Sequence, residues 1–453
     1  MRRIFQIIAF VKSFATGVMI PVLALALMAH GASISTISLL LGAYSFTVIV
    51  AEFPSGVFAD LCGRKKAFLL STVFYVACYG ILLFSQSIVV LFCAMVANGL
   101  GRAFSSGSID ALAIDDAVAS GGEVAKATAQ LSILESAGLA AGALAGGLLS
   151  AIGSHYEGNL IVNGILYVLL FLLALLCVRE HVAHTEHTAQ VTGVSRIRAQ
   201  VRESISFMAQ KGLVRMLFVL TFITGFALLS VETYWQPALL TMSPASWLFG
   251  AVSFAGFFCV ILGSKAIERL LLKQPEGGTV LLLILKALLG GCLVLLVSQF
   301  QAPFFIGVYM LAYLFLGGGS VAENTLLNQA APASQRASIL SLFSFVLQIG
   351  GLLASLIGYV VSAQTNFRNM WLIGGALLLI GAGASALVYA KQRRRVAENR
   401  QPELPVEKQE EAATHIQPEE TPEGILEAQI EETPETQTQE RKAQPWEAEP
   451  IQP

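Results

Sequence analysis

Apolar residues gather into twelve long runs, at about 5–29, 34–58, 67–86, 88–112, 127–152, 159–178, 213–239, 246–264, 277–298, 303–325, 338–362 and 370–390. A helix needs about 20 such residues to cross a bilayer. Within hydrocarbon the backbone must satisfy its own hydrogen bonds, so each run is predicted to be an α-helix. The first run is too long, and too closely followed by a second, to be a cleaved leader. A polar stretch at 179–212 divides the spans six and six and carries an amphipathic piece near Ser195–Gln210. After Lys391 the aliphatic pattern stops, and Glu, Pro, Gln and Thr take over, which predicts a disordered tail. The expected organisation is therefore an all-α polytopic membrane protein. It has a six-helix half at 1–178, a central loop at 179–212, a second six-helix half at 213–391 and a tail at 392–453.

Composition sharpens this reading. Charged residues make up 13% of the chain, against about a quarter in soluble domains, so the bilayer is the natural solvent. The basic residues segregate. One set of connections holds Arg2, Arg3, Arg64, Lys65, Lys66, Lys126, Arg179, Arg196, Arg198, Arg202, Lys211, Arg215, Lys265, Arg269, Lys273, Arg336, Lys391, Arg393, Arg394 and Arg395, while the alternate set holds Arg368. That bias places both termini and the central loop in the cytoplasm, in a cell membrane crossed an even number of times. The cysteines Cys62, Cys78, Cys93, Cys177, Cys259 and Cys292 are scattered through apolar runs without metal spacing. His181, His184 and His187 have helical spacing but lie in the polar loop without an acidic cluster beyond Glu186, so no metal site is expected. No Gly-x-x-x-x-Gly-Lys-Ser/Thr run appears, which argues against ATP as the direct energy source and for an ion gradient. Nothing points to a cofactor or to nucleic acid. The spans also lack a nucleophile, base or metal constellation of the kind an intramembrane enzyme needs.

The most informative polar connection lies between the second and third spans. It reads Gly56-Val-Phe-Ala-Asp60-Leu-Cys-Gly63-Arg64-Lys65-Lys66. Its glycines permit close helix approach and a sharp turn, and Asp60 is suited to a helix N-terminus, where the dipole favours an anion. This run resembles the Gly-x-x-x-Asp-x-x-Gly-Arg-Lys signature of the major facilitator superfamily, and the six-plus-six layout agrees over about 5–391. The resemblance implies a cytoplasmic latch formed by Gly56, Asp60, Gly63, Arg64 and Lys65. The corresponding loop of the second half, Gly263-Ser-Lys265-Ala-Ile-Glu268-Arg269, has lost the pattern. The fifth span carries Gly138, Gly142, Gly146 and Gly147, similar to the family's antiporter signature but with Ala143 in place of its Pro. A plain small-residue packing face explains the same glycines. Glu52-Phe-Pro54-Ser-Gly56 resembles bacterial members described as drug or metabolite exporters.

Ionisable residues inside spans are costly and become functional candidates. They are Lys12, Glu52, Arg102, Asp110, Glu135, Glu232, Lys286 and Glu323. Arg102 and Glu135 are expected to pair, with Asp110 in reserve, as a proton-coupling site or a structural salt bridge. Lys12 is expected to snorkel. Glu52, Glu232, Trp235, Gln236, Glu323 and Asn324 are cavity or gate candidates. Trp235 could instead belong to an interfacial belt, and Glu323 could be an anchor at a helix end. The expected activity is secondary transport of a small solute by alternating access, driven by protons or another ion, with efflux preferred. Nutrient import and a transport-inactive sensor or scaffold are its rivals.

Overall fold

The computed structural model describes residues 2–106, 108–180, 211–274, 277–332 and 336–399. The expected amphipathic piece at Ser195–Gln210, the His181, His184 and His187 run and the tail beyond 399 lie outside these residues. Fourteen helices are described. They are α1 Arg3–Met19, α2 Leu23–Ala29, α3 Ile34–Cys62, α4 Arg64–Phe84, α5 Ile88–Ser105, α6 Ile109–Ala119, α7 Val124–Leu149, α8 Glu157–Cys177, α9 Gly212–Met242, α10 Ser246–Lys273, α11 Gly278–Val297, α12 Ala302–Ala330, α13 Arg336–Gln364 and α14 Asn369–Asn399. No strand occurs among the described residues. Eleven helical runs are long and apolar enough to cross a membrane, with α5 and α6 forming one run. The pair α1 and α2, bent by 49°, makes a twelfth. The break falls at Ile20-Pro21-Val22, where Pro21 has no N–H to continue the helix. Several boundaries differ from the reading above: α10 runs to Lys273 where 264 was expected, α12 runs to Ala330 where 325 was expected, and the expected span 88–112 is divided into α5 and α6. α14 continues past Lys391 to Asn399, because Gln392 to Glu398 keep good helix formers in register with the apolar span.

The residues Met1–Arg393 form one compact unit. Within it, α1–α8 and α9–α14 make the two six-span halves. The first half is held by a core around Phe5, Phe68, Tyr79 and Tyr167. The second half has two cores, one around Trp235, Tyr309 and Trp371 and one around Phe218, Leu327 and Phe343. Leu25 of α2 crosses over to join the Trp235 core. The halves meet where α3 runs beside α13 and α7 beside α10.

The halves are sealed at the end opposite the basic loops. Gly147 of α7 lies backbone to backbone against Gly250 of α10, and Gly42 of α3 lies against Ser355 of α13. Among the described residues three hydrogen bonds cross between halves, all at this end: Ala24 N–H to Gln236 Oε1, Gln236 Nε2–H to Ile20 O, and Ser38 with Tyr234. At the basic end no hydrogen bond or ion pair joins the halves among the described residues, and the second half carries there an open cleft of about 620 Å³ lined by Ser320, Asn324, Thr325 and Asn328 of α12 and Arg336 of α13. Arg368, the basic outlier of the alternate loops, is buried. Its Nη1 donates to Gln299 O at 2.6 Å, and its guanidinium lies 4.6 Å from the Phe300 ring centre. It packs two connections together, which accounts for a positive charge on that side.

Candidate functional site

The first half concentrates charge where α1, α6 and α7 meet. Lys12 Nζ donates to Asp110 Oδ1 and Oδ2 at 2.8 Å and lies 3.0 Å from Glu135 Oε1. The expected Arg102–Glu135 pair is therefore replaced by a Lys12–Glu135 pair. Lys12 does not snorkel, because two carboxylates on neighbouring helices stand within reach of its ammonium. Arg102, one helix away on α5, has Tyr44, Tyr75, Glu52 and Asp110 as its electrostatic surroundings. Ser55, beside Pro54, donates to Ala103 O at 2.9 Å and ties the Glu52 turn of α3 to α5.

The second half holds a separate ion pair. Lys286 of α11 and Glu323 of α12 are 2% and 5% exposed and meet at 2.8 Å. Thr221 donates to the other Glu323 oxygen, and Lys286 donates to Thr224 Oγ1 at 2.7 Å. Glu323 is thus no interfacial anchor but the acid of a fully buried, fully bonded pair. Its neighbour Asn324 turns the other way and lines the open cleft. Lys286 was legible as a costly intramembrane charge, yet nothing in its own helix named its partner.

One end of α9 forms the seal. Trp235 is 1% exposed and its ring centre lies 5.3 Å from that of Tyr309, so it is a core residue and not part of an interfacial belt. Gln236 reaches across to the α1–α2 break and bonds a carbonyl and an amide that the break leaves without helical partners. Glu232, one turn nearer the open end, accepts a hydrogen bond from the Tyr313 hydroxyl.

The loop signature resolves into parts. Gly63 sits at φ 102°, the left-handed region that favours glycine, and makes the sharp turn between α3 and α4. Gly56 makes no close approach, since a methyl group there would meet open space. Asp60 lies in α3, and its side chain is outside the described residues. The anion at the α4 N-terminus is Glu180, which accepts from the amides of Arg64 at 2.8 Å and Lys65 at 3.1 Å. Arg64 pairs with Asp115 at the end of α6, and Lys65 Nζ donates to Leu175 O at 2.9 Å. Glu180 escaped the sequence reading. Its signal was an acid just past the end of a span whose neighbour begins with bare amides. In the fifth span, methyl groups at Gly138, Gly142 and Gly146 would strike the carbonyls of Phe10, Phe14 and Val18 on α1. Those glycines serve packing within the half, while Gly147 serves the seal between halves.

A polytopic bundle of two six-helix halves, joined by hydrogen bonds at one end and with charged groups held inside it, has the build of a membrane transporter. This chain belongs to the Major Facilitator Superfamily, whose family model matches residues 6–307 and 240–432. It is 26% identical over 386 residues to the uncharacterized MFS-type transporter YxaM of Bacillus subtilis (strain 168), covering 83% of this chain and 93% of that one. Its fold is similar to the crystal structure of the nucleoside transporter NupG (TM-score 0.71, 14% identity, 85% of this chain and 98% of that one). It is similar also to a POT family transporter in complex with 5-aminolevulinic acid (TM-score 0.66, 15% identity, 86% and 96%). A third similar fold is a bacterial homolog of the human lysosomal transporter Spinster (TM-score 0.64, 14% identity, 85% and 95%).

Proposed function

We propose that this chain is a secondary active transporter that exports a small solute across the cell membrane in exchange for protons, by alternating access, with both termini in the cytoplasm. The observation that carries alternation is the asymmetry between the ends. Every hydrogen bond between the halves among the described residues lies at the end away from the basic loops. Basic loops face the cytoplasm, so the molecule is closed outward and open inward. The reading of proton exchange rests on the cluster of Lys12, Asp110 and Glu135, where one ammonium meets two carboxylates on neighbouring helices. The direction rests on the likeness of the Glu52–Gly56 segment to exporters.

The test uses paired spin labels in a cysteine-free background, reconstituted in liposomes. One pair sits at Ser33 and Thr365 on the sealed end and the other at Leu61 and Arg336 on the open end. Changing the proton gradient is expected to move the two distances in opposite directions, and Glu135→Gln to blunt the response. Two static pairs, or pairs that move in the same sense, would overturn alternating access. A full response in Glu135→Gln would remove that residue from coupling.

A further inference from the structure

The intramembrane acids are not equivalent. Asp110 and Glu135 share Lys12, Glu323 has Lys286, and Glu52 stands in the field of Arg102. Glu232 differs: among the described residues no lysine or arginine forms an ion pair with it, and its hydrogen-bond donor is the phenol of Tyr313. Around it runs an aromatic wall. Tyr313 and Tyr309 have ring centres 4.5 Å apart, and Tyr309 continues to Trp235 at 5.3 Å. Position adds the third observation. Gln236 crosses to the first half, and Glu232 precedes it by one helical turn, about 6 Å toward the open end on the same face of α9. Glu232 therefore lies about one turn beneath the seal, on the side of α9 that carries Gln236, with its carboxylate bonded to Tyr313 of α12.

We propose that Glu232, with Tyr313, Tyr309 and Trp235, is the docking point for an organic cation in the transport path, a reading that rests on the transporter function above and names its substrate class. An unpaired carboxylate inside a bilayer is expensive, and a mobile cation supplies the missing charge. Aromatic faces attract a delocalised or quaternary cation through their quadrupoles and favour it over a small hydrated ion. The embedded charges bias the path the same way: Glu52, Asp110, Glu135, Glu232 and Glu323 outnumber Lys12, Arg102 and Lys286. In the present state the Tyr313 hydroxyl occupies the carboxylate, and an arriving cation displaces it.

Calorimetric titration of the purified full chain with tetraphenylphosphonium tests this, with tetraphenylborate as the anion of the same shape. Tetraphenylphosphonium is expected to bind and tetraphenylborate not to. Glu232→Gln should weaken binding at least tenfold with an unchanged melting curve, while Glu232→Asp keeps most of it. Tyr313→Phe, which keeps the ring and removes the competing hydroxyl, should bind as well as the parent or better, and Tyr313→Ala several-fold worse. Equal binding of both ions, or undiminished binding by Glu232→Gln, overturns the site and leaves Glu232 a proton carrier at most. Opposite spin-label motions together with absent cation binding would sink this inference alone. Static labels would sink the transporter reading itself.

Discussion

Lys286 and Gln236 show what single side chains decide in this molecule. Lys286 is buried with Glu323 and two threonines, and every polar atom of the pair has a partner. Removing one member of a buried pair leaves an uncompensated charge and costs about 3–5 kcal/mol, whereas replacing both with apolar groups is often near neutral. Lys286→Met should accordingly lower the melting temperature in detergent sharply, and Lys286→Met with Glu323→Leu should recover most of the loss. If the double variant melts as low as the single one, the pair is not the source of the effect. Gln236 acts on a balance of states more than on the fold. Its two bonds reach a carbonyl and an amide exposed by the Pro21 break. Each buried group left unpaired costs about 1–3 kcal/mol. Gln236→Leu is expected to lengthen the mean Ser33–Thr365 distance while the protein still folds. An unchanged distance distribution would reduce Gln236 to a passive contact.

Among whole elements, α7 shows how one glycine-rich helix serves two tasks. Three of its glycines accept the backbone of α1, while Gly147 meets Gly250 across the seal. Backbone cannot yield as a flexible side chain can, so added methyl groups must separate the helices. Gly142→Val should therefore depress yield and melting temperature, because it parts α1 from α7 within one half. Gly147→Val should leave melting nearly intact and open the outer end. A Leu25→Cys reporter on α2, buried at the seal, is expected to react faster with an impermeant maleimide in the Gly147→Val background. Equal labelling rates would show that the seal does not depend on this contact. The same helix illustrates why a small-residue pattern underdetermines its use: the spacing marks a packing face, but not which helix arrives on it.

Orientation is a property of the whole molecule. The basic residues lie at the end opposite the hydrogen bonds that join the halves, and the outlying Arg368 is explained by burial against Phe300 and the Gln299 carbonyl. A reporter fused after Arg395 is expected to be active when it requires the cytoplasm and silent when it requires the exterior. The reverse pattern would invert the reading of which gate is closed. Because each half keeps most of its charges paired within itself, the halves can move without breaking ion pairs between them. Among the described residues the contacts across the interface include three hydrogen bonds, glycine contacts and the packing of Leu25, Met28, Ile34 and Tyr156 on the second-half core.

By itself the chain determined the number of spans and the place of the sharp turn at Gly63. These follow from local rules: an apolar run of bilayer length must be helical, and glycine permits a sharp turn. It also marked every intramembrane charge as a candidate, because cost depends on burial alone. Partners were another matter. Lys12 finds an acid 98 residues away, Gln236 finds a carbonyl 216 residues away, and the amide of Arg64 finds Glu180 at a distance of 116. Those pairings depend on which helices pack and how each is rotated about its axis. Rotation is set by glycine contacts and side-chain interlock between spans that are all uniformly apolar, so no periodicity within one span could specify it. The tertiary structure alone decided that Glu135 belongs to Lys12 and that Glu323 is neutralised by Lys286. It decided too that Glu232 stands beneath the seal with a phenol as its hydrogen-bond donor.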